Sequence, residues 1–322
     1  MLRRNKNSAD SLYDADEPSA FGESIEKSPM LRGALKVARC LVASTLLENS
    51  ARVLFDVKRQ ASVLSGGSWA MWRLFAMLYI HFSWIAQLAG GVAVATGMNR
   101  PFMTGSALLY LASAMVVYGS LDARFHRKEP FGRFTYLCRT LSIGGGLLAA
   151  HLHAVVSHAR EGLKHSIFAD PTKAHAKTLQ YGVLVARLLG AASALSHVAR
   201  IATAKKRTWV SLIAVFLYSA SAVGVAAGAA SRVASCTLAL MVLIQNLVSD
   251  AASSWVVLAF LKPLPPVAGR FAAGKLARRA MHLDGLRFYF FQDLAVFGAL
   301  VLLALLGPGP ASVDHHRRTR SD

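Results

Sequence analysis

Four stretches of this chain, 74–96, 102–121, 208–230 and 288–306, are each close to 20 residues of nearly unbroken apolar side chains. That length carries a helix across the roughly 30 Å hydrocarbon of a bilayer. Four more, 35–55, 137–156, 179–199 and 233–261, qualify with a few polar residues in each. Backbone at that depth finds no water to bond, so each segment must satisfy itself as a helix. The expected fold is therefore all-α, a polytopic membrane protein of about eight transmembrane helices. Composition agrees: 16% of residues are charged, where an average soluble domain carries roughly 25%.

The spans fall into two sets. Residues 37–53 (VARCLVASTLLENSARV) and 185–201 (VARLLGAASALSHVARI) align without a gap, sharing Ala38/Ala186, Arg39/Arg187, Leu41/Leu189, Leu47/Leu195 and Arg52/Arg200 among others. Residues 139–148 (RTLSIGGGLL) answer 292–301 (QDLAVFGALV) at nearly the same offset. A period of half the chain is too long for a solenoid and suggests two tandem four-helix repeats, an arrangement that often places a site at the repeat interface. The layout expected is a polar tail over 1–34, a first repeat over 35–160, a loop over 161–178, a second repeat over 179–308 and a charged tail over 309–322. The first 30 residues hold mixed charge, Pro18 and Pro29, without the apolar core of a signal peptide. They read as disordered, with the first span as an uncleaved anchor.

The formal net charge is +19, yet Lys and Arg sit in the short connections between spans, such as Lys58, Arg59, Lys205, Lys206 and Arg207. There they meet lipid headgroups. No basic module interleaved with aromatics exists, so nucleic acid is not an expected partner. Cys40, Cys138 and Cys236 are odd in number and lack zinc spacing, and read as small core residues. His151, His153, His158, His81 and His197 form no ligand set of known spacing, so no metal and no cofactor is expected. Gly144-Gly145-Gly146 has neither a preceding strand nor a following Lys-Ser/Thr, and reads as a helix-packing face. Residues 262–287, broken by Pro263, Pro265 and Pro266, read as a short interfacial helix or a loop.

Polar groups inside the spans carry the site question. Ionisable side chains at membrane depth cost roughly 2.5–3.5 kcal/mol on insertion scales, so they mark either function or a buried pair. The candidates are Glu48 and Asn49 in the first span, Gln87 in the second, Arg139 in the fourth, Arg187 in the fifth and Asp250 in the seventh. Glu48, Arg139 and Arg187 would be able to satisfy one another. Asp293 is placed near the start of its helix, where the positive end of the dipole would stabilise it. No nucleophile elbow, metalloprotease helix, nucleotide loop or catalytic carboxylate pair is present, so an enzyme is not expected.

Several of these segments, in order, resemble the surfeit-locus cargo-receptor family. They are Ser44-Thr45-Leu46-Leu47-Glu48 with Arg52, Gln87-Leu88 with Gly90, Arg139 with 141–148, Arg187-Leu188-Leu189, and Phe290-Phe291-Gln292 followed by Leu306-Gly307-Pro308-Gly309. The resemblance covers roughly residues 35–315. It implies a multi-pass receptor cycling between endoplasmic reticulum and Golgi, with soluble secretory cargo on its lumenal side and vesicle-coat proteins on its cytosolic side. Self-association is allowed for. Family members typically end in a lysine-based retrieval signal, and here Arg318 and Arg320 stand at the corresponding fifth and third positions from the end. A cargo amino terminus brings a positive charge and a few apolar side chains, which a carboxylate at the membrane edge would suit. Glu48 is the first choice for it and Asp250 the second. Two other readings stay open: a lipid scramblase using Arg139, Arg187 and Gln87 as a polar track, and a membrane oxidoreductase using His151, His153 and the cysteines.

Overall fold

The computed structural model describes residues 28–55, 57, 72–97, 105, 109, 132–163, 171–203, 208–251, 273–307, 309 and 312–314, of which 55, 132–133, 156–163, 171–179, 248–251 and 273–287 as backbone only. Seven helices account for nearly all of them: α1 (Pro29–Phe55), α2 (Arg73–Thr96), α3 (Gly132–Leu163), α4 (Pro171–Ala202), α5 (Trp209–Ala227), α6 (Ser231–Ala251) and α7 (Ala273–Leu306). Among the described residues there is no strand. Stretches of α2, α4, α5 and α7 are long and apolar enough to cross a membrane, so the chain is an all-helical, polytopic membrane protein. The expected span 102–121 lies outside the described residues except for Gly105 and Leu109.

The expected spans in α1 and α3 are helical but too polar to stand out. Glu48, Asn49, Arg139 and His153 are buried against other helices, not presented to lipid. In α6 the apolar part runs only from Ser231 to Leu247. The residues expected as a short interfacial helix within 262–287 divide differently, because from Ala273 they form the first turns of α7. The prolines that would break a helix all precede residue 267, so nothing stops α7 from running through 34 residues. At 1.5 Å per residue that is about 50 Å, longer than the hydrocarbon is thick.

The helices run between two ends of the bundle, with α2 and α3 pointing the same way. The proximal end is where α1 begins and α7 finishes, and the distal end is the opposite one. α1 packs between α2 and α7, α4 packs between α3 and α5, and α7 also meets α3 and α6. Lipid tails are as apolar as leucine, so helices in a bilayer associate through close packing and not through a hydrophobic drive. Glycine makes that packing close at two places. A Cβ at Gly145 of α3 would sit 2.6 Å from Ala186 O and 2.8 Å from Gly190 N of α4. A Cβ at Gly298 of α7 would sit 2.9 Å from both Ala38 O and Val42 N of α1. At Gly146 it would collide with Ala299 of α7, so α3 and α7 also touch nearly backbone to backbone. Cys138 is buried as expected of a core residue, whereas Cys40 and Cys236 are exposed. The outer faces of α2 and α5 present Phe75, Phe82, Ile213 and Phe216, as lipid-facing surfaces do.

Replacing Gly145 with leucine should therefore separate α3 from α4, at a cost of about 1–3 kcal/mol or more by overpacking. Gly33, which has nothing within 4 Å of a built Cβ, should accept alanine without loss. Thermal unfolding of the detergent-solubilised protein would check both, and equal midpoints for Gly145→Leu and Gly33→Ala would refute the close contact.

Candidate functional site

At the distal end, polar side chains from all seven described helices gather inside the bundle. α1 contributes Glu48, Asn49 and Arg52, one turn of one helix. Asn49 Nδ2 donates to Gln87 Oε1 of α2, and Gln87 Nε2 in turn donates to Ser83 Oγ at 2.8 Å. Arg52 Nη2 donates to Asn49 Oδ1 at 2.8 Å, with its guanidinium 4.4 Å above the Phe288 ring. Ser50 Oγ donates to Trp84 O, which fixes the register of α1 on α2. Chained amides of this kind orient one another, and each left unpaired in such surroundings would cost several kcal/mol.

α3 and α7 supply the second part. Arg139 Nε lies 2.7 Å from Asp293 Oδ1, and its Nη2 donates to Asp293 Oδ2 at 2.8 Å. Both groups are over nine-tenths buried. The Nη2–Oδ2 contact is a hydrogen bond and the Nε–Oδ1 contact a close ion pair, which together offset part of the cost of burying both charges. Tyr289 lies 5.1 Å below the same guanidinium, while Tyr136 stacks on Phe288. The dipole explanation expected for Asp293 fails: α7 begins twenty residues earlier, at Ala273, so Asp293 is mid-helix and held by Arg139. One residue before it, Gln292 is fully buried, and neither atom of its carboxamide has a hydrogen-bond partner among the described residues.

α4, α5 and α6 close the cluster. His197 stacks face to face on Tyr218, ring centroids 4.9 Å apart at 15°. Tyr218 Oη donates to Gln245 Oε1 at 2.7 Å, and Gln245 also bonds His197. Arg139 and Arg200 lie near enough to act on the imidazole through their charge.

Of the residues singled out from sequence, Glu48, Asn49, Gln87 and Arg139 come together at this end. Arg187 does not. It lies at the proximal end, where its Nη1 packs so closely on Gly228 that no Cβ would fit, beside the Asp314 charge. Ten residues of α4 separate Arg187 from His197, about 15 Å along the axis, so Arg187 cannot share a site with Glu48 and Arg139. Its guanidinium meets the C-terminal, negative end of α5, which Gly228 closes at φ +71°. Asp314 accepts from Ala230 N and Ser231 N there, capping α6. Arg39 repeats the arrangement at Gly97, which closes α2 at φ +74°, and Arg39 Nη2 lies 2.8 Å from His153 Nδ1. Asp250 is in the last turn of α6 with its side chain outside the described part, and Arg318 and Arg320 lie outside the described residues. Sequence reasoning places Gln292 and Asp293 at a helix start and outside the candidate site, and it does not foresee the His197–Tyr218 stack. The alignment of His197 with Asn49 was the available signal for the last of these.

The arrangement offers buried carboxylate, carboxamide and guanidinium groups converging at one membrane edge, a composition suited to holding a polar or charged end of a ligand. Among the described residues no group of three His, Cys, Asp or Glu side chains is placed to hold a metal ion.

The chain matches the SURF4 family over residues 30–261, well over half of its length. The chain belongs to the SURF4 family. It is 24% identical over 284 residues to the Surfeit locus protein 4 homolog of Drosophila melanogaster, a match spanning 88% of this chain and 89% of that protein. No solved structure matches it. The match to the SURF4 family includes α1, α2 and Arg139, and so most of the distal cluster. Asp293 and Gln292 lie beyond it but within the stretch where the chain resembles the surfeit-locus family.

Replacing Asp293 by asparagine leaves Arg139 buried without its counter-charge, which should cost about 3–5 kcal/mol. The double replacement Arg139→Met with Asp293→Leu should recover most of that. Midpoints of thermal unfolding for Arg139→Met, Asp293→Leu and the double give the coupling, and an additive double would show that the pair contributes little.

Proposed function

We propose that this protein is a cargo receptor of the endoplasmic reticulum membrane that selects soluble secretory proteins for vesicular export to the Golgi. The observation that carries the reading is the buried Glu48 at the distal end of the bundle, inside the Asn49–Gln87 network. A cargo amino terminus is a primary ammonium followed by apolar side chains, and a carboxylate in a partly dry setting binds such an ion more strongly than it would in water. The distal end is then lumenal. The proximal end, which holds Asp314 just ahead of Arg318 and Arg320, faces the cytosol and the vesicle coats.

We infer eight spans. Gly97 closes α2 at the proximal end beside Arg39, whereas α3 starts at the distal end with Tyr136 on Phe288. The chain between them therefore passes from one end to the other, and that stretch contains the apolar segment 102–121.

The scramblase reading calls for a polar path along the membrane normal. Between the distal cluster and Arg39–His153, the described interior is filled mainly by Val42, Leu46, Ile143, Leu147 and Leu300, none more than 1% exposed, with only the hydroxyls of Thr45, Ser142 and Ser193 among them. Such a mostly apolar layer, without a charge among the described residues, favours a receptor that binds at one side over a conduit.

Glu48→Gln keeps the shape and removes the charge. In cells depleted of the native protein it should restore localisation and abundance but not export, with capture of crosslinked secretory proteins falling about tenfold or more. Capture and export equal to the unaltered protein would sink the proposal. Purified protein that instead equilibrates lipid between vesicle leaflets would promote the scramblase.

A further inference from the structure

We propose that the two halves of the bundle carry equivalent sites of which only the first, at Glu48, Asn49 and Gln87, takes a ligand, while His197 and Tyr218 fill the second with the protein's own side chains. This rests on the cargo-receptor reading and assigns its stoichiometry and two further determinants.

Equivalence is argued from contacts and not from sequence likeness alone. Residues of α1 and α4 correspond at a separation of 148, and those of α3 and α7 at 153. Gly145 of α3 meets Ala186, Leu189 and Gly190 of α4; Gly298 of α7 meets Ala38, Leu41 and Val42 of α1. Adding 148 to the second trio returns the first. Gly146 meets Ala299, its own counterpart, as two helices facing across a two-fold axis would. The C-caps extend the match to α2 and α5, whose sequences show no evident likeness. Arg39 packs on Gly97 as Arg187 packs on Gly228, a separation of 131. At that separation Gly90, Val94 and Gln87, all buried in α2, fall on Ser221, Val225 and Tyr218, the three buried residues of α5.

Two copies of one unit can be compared with each other. Toward the proximal end and along the seam they agree: Arg39/Arg187, Gly97/Gly228, Val94/Val225, Gly145/Gly298 and Leu147/Leu300. At the distal end Arg52 and Arg200 still agree, but four nearby positions differ: Glu48 faces Ser196 in the comparison, Asn49 faces His197, Gln87 faces Tyr218, and Arg139 faces Gln292. These differences lie at the proposed site. The hydrogen-bonded pair Asn49–Gln87 and the stacked pair His197–Tyr218 thus occupy one position in two halves. In the first half that position has two carboxamides beside a carboxylate. In the second it has two stacked rings, tied to Gln245 of α6, beside a serine hydroxyl. At this position only the first half carries a carboxylate; the second half's Asp293 stands on α7, paired with Arg139.

The experiment uses the full-length protein in nanodiscs and a short peptide with a free amino terminus, apolar first residues and a photoreactive side chain at its first position. The unaltered protein should saturate at one peptide per chain, with label recovered on α1 and α2 fragments. Asn49→His with Gln87→Tyr, which leaves Glu48 in place, should weaken binding about tenfold or more. Ser196→Glu with His197→Asn and Tyr218→Gln should raise saturation to two and label α4 and α5 as well. Saturation of the unaltered protein at two, label on α4 and α5, or full binding by the Asn49→His, Gln87→Tyr variant would each overturn the proposal. The label position in the unaltered protein decides even where a variant does not fold. A distinct result, unaltered protein that binds no peptide or Glu48→Gln that binds as well, strikes the receptor reading itself and this inference with it.

Discussion

Contact between α3 and its neighbours sets the terms for everything else in this bundle. Association in lipid gains nothing from hiding leucine from leucine, so dispersion at short range must hold the helices. Gly145 against the α4 backbone, Gly298 against α1 and Gly146 against Ala299 bring four helices as near as their main chains allow. Only at that separation do side chains such as Arg139 and Asp293 reach across from one helix to another with both forks engaged. Larger residues at the seam would hold α3 and α7 apart, and the fork would have to be bridged by groups the interior does not supply.

Polar burial then follows a consistent physical logic. A guanidinium near a membrane core is tolerable where a carboxylate, a helix C-terminus or an aromatic face receives it. Each described buried arginine has such a receiver: Asp293 and Tyr289 for Arg139, and the Gly228 end of α5 with Asp314 for Arg187. Arg39 and Arg187 serve as structural staples at the proximal end. The distal groups are different in kind, because there the same helix turns carry carboxamides, rings and a carboxylate that the two halves do not share.

The reach of sequence reasoning was set by what hydropathy and spacing measure. α2 and α5 were legible because most of their surface is exposed and apolar, with polar groups such as Ser83 and Gln87 largely confined to a narrow buried strip. α1 and α3 are flanked by protein and free to carry Glu48 or Arg139, which dilutes the same signal. Asp293 was misread because its role depended on where α7 begins, and three prolines near residue 265 drew that boundary some twenty residues away from a helix that starts at Ala273. Arg187 was grouped with Glu48 because charge alone does not say at which depth a residue lies. The information was present nonetheless: Arg187 aligns with Arg39, and Arg39 lies nine residues, about 13 Å, from Glu48 on the same helix. Treating the repeat as a ruler for depth would have separated them.

A bundle with polar ends and a closed middle also constrains how binding would be used. On the described helices the residues between the ends are mostly large and apolar, Val42, Leu46, Ile143, Leu147 and Leu300, with the small hydroxyls of Thr45, Ser142 and Ser193 buried among them. Ser142 spends its hydroxyl on the backbone of α4, so an ammonium ion entering this layer would find no carboxylate among the described residues there and would give up most of its solvation. On the proposed reading, occupation of the distal site would then be an end point and not a stage of passage, and the same close helix packing that fills the middle would position the residues that bind.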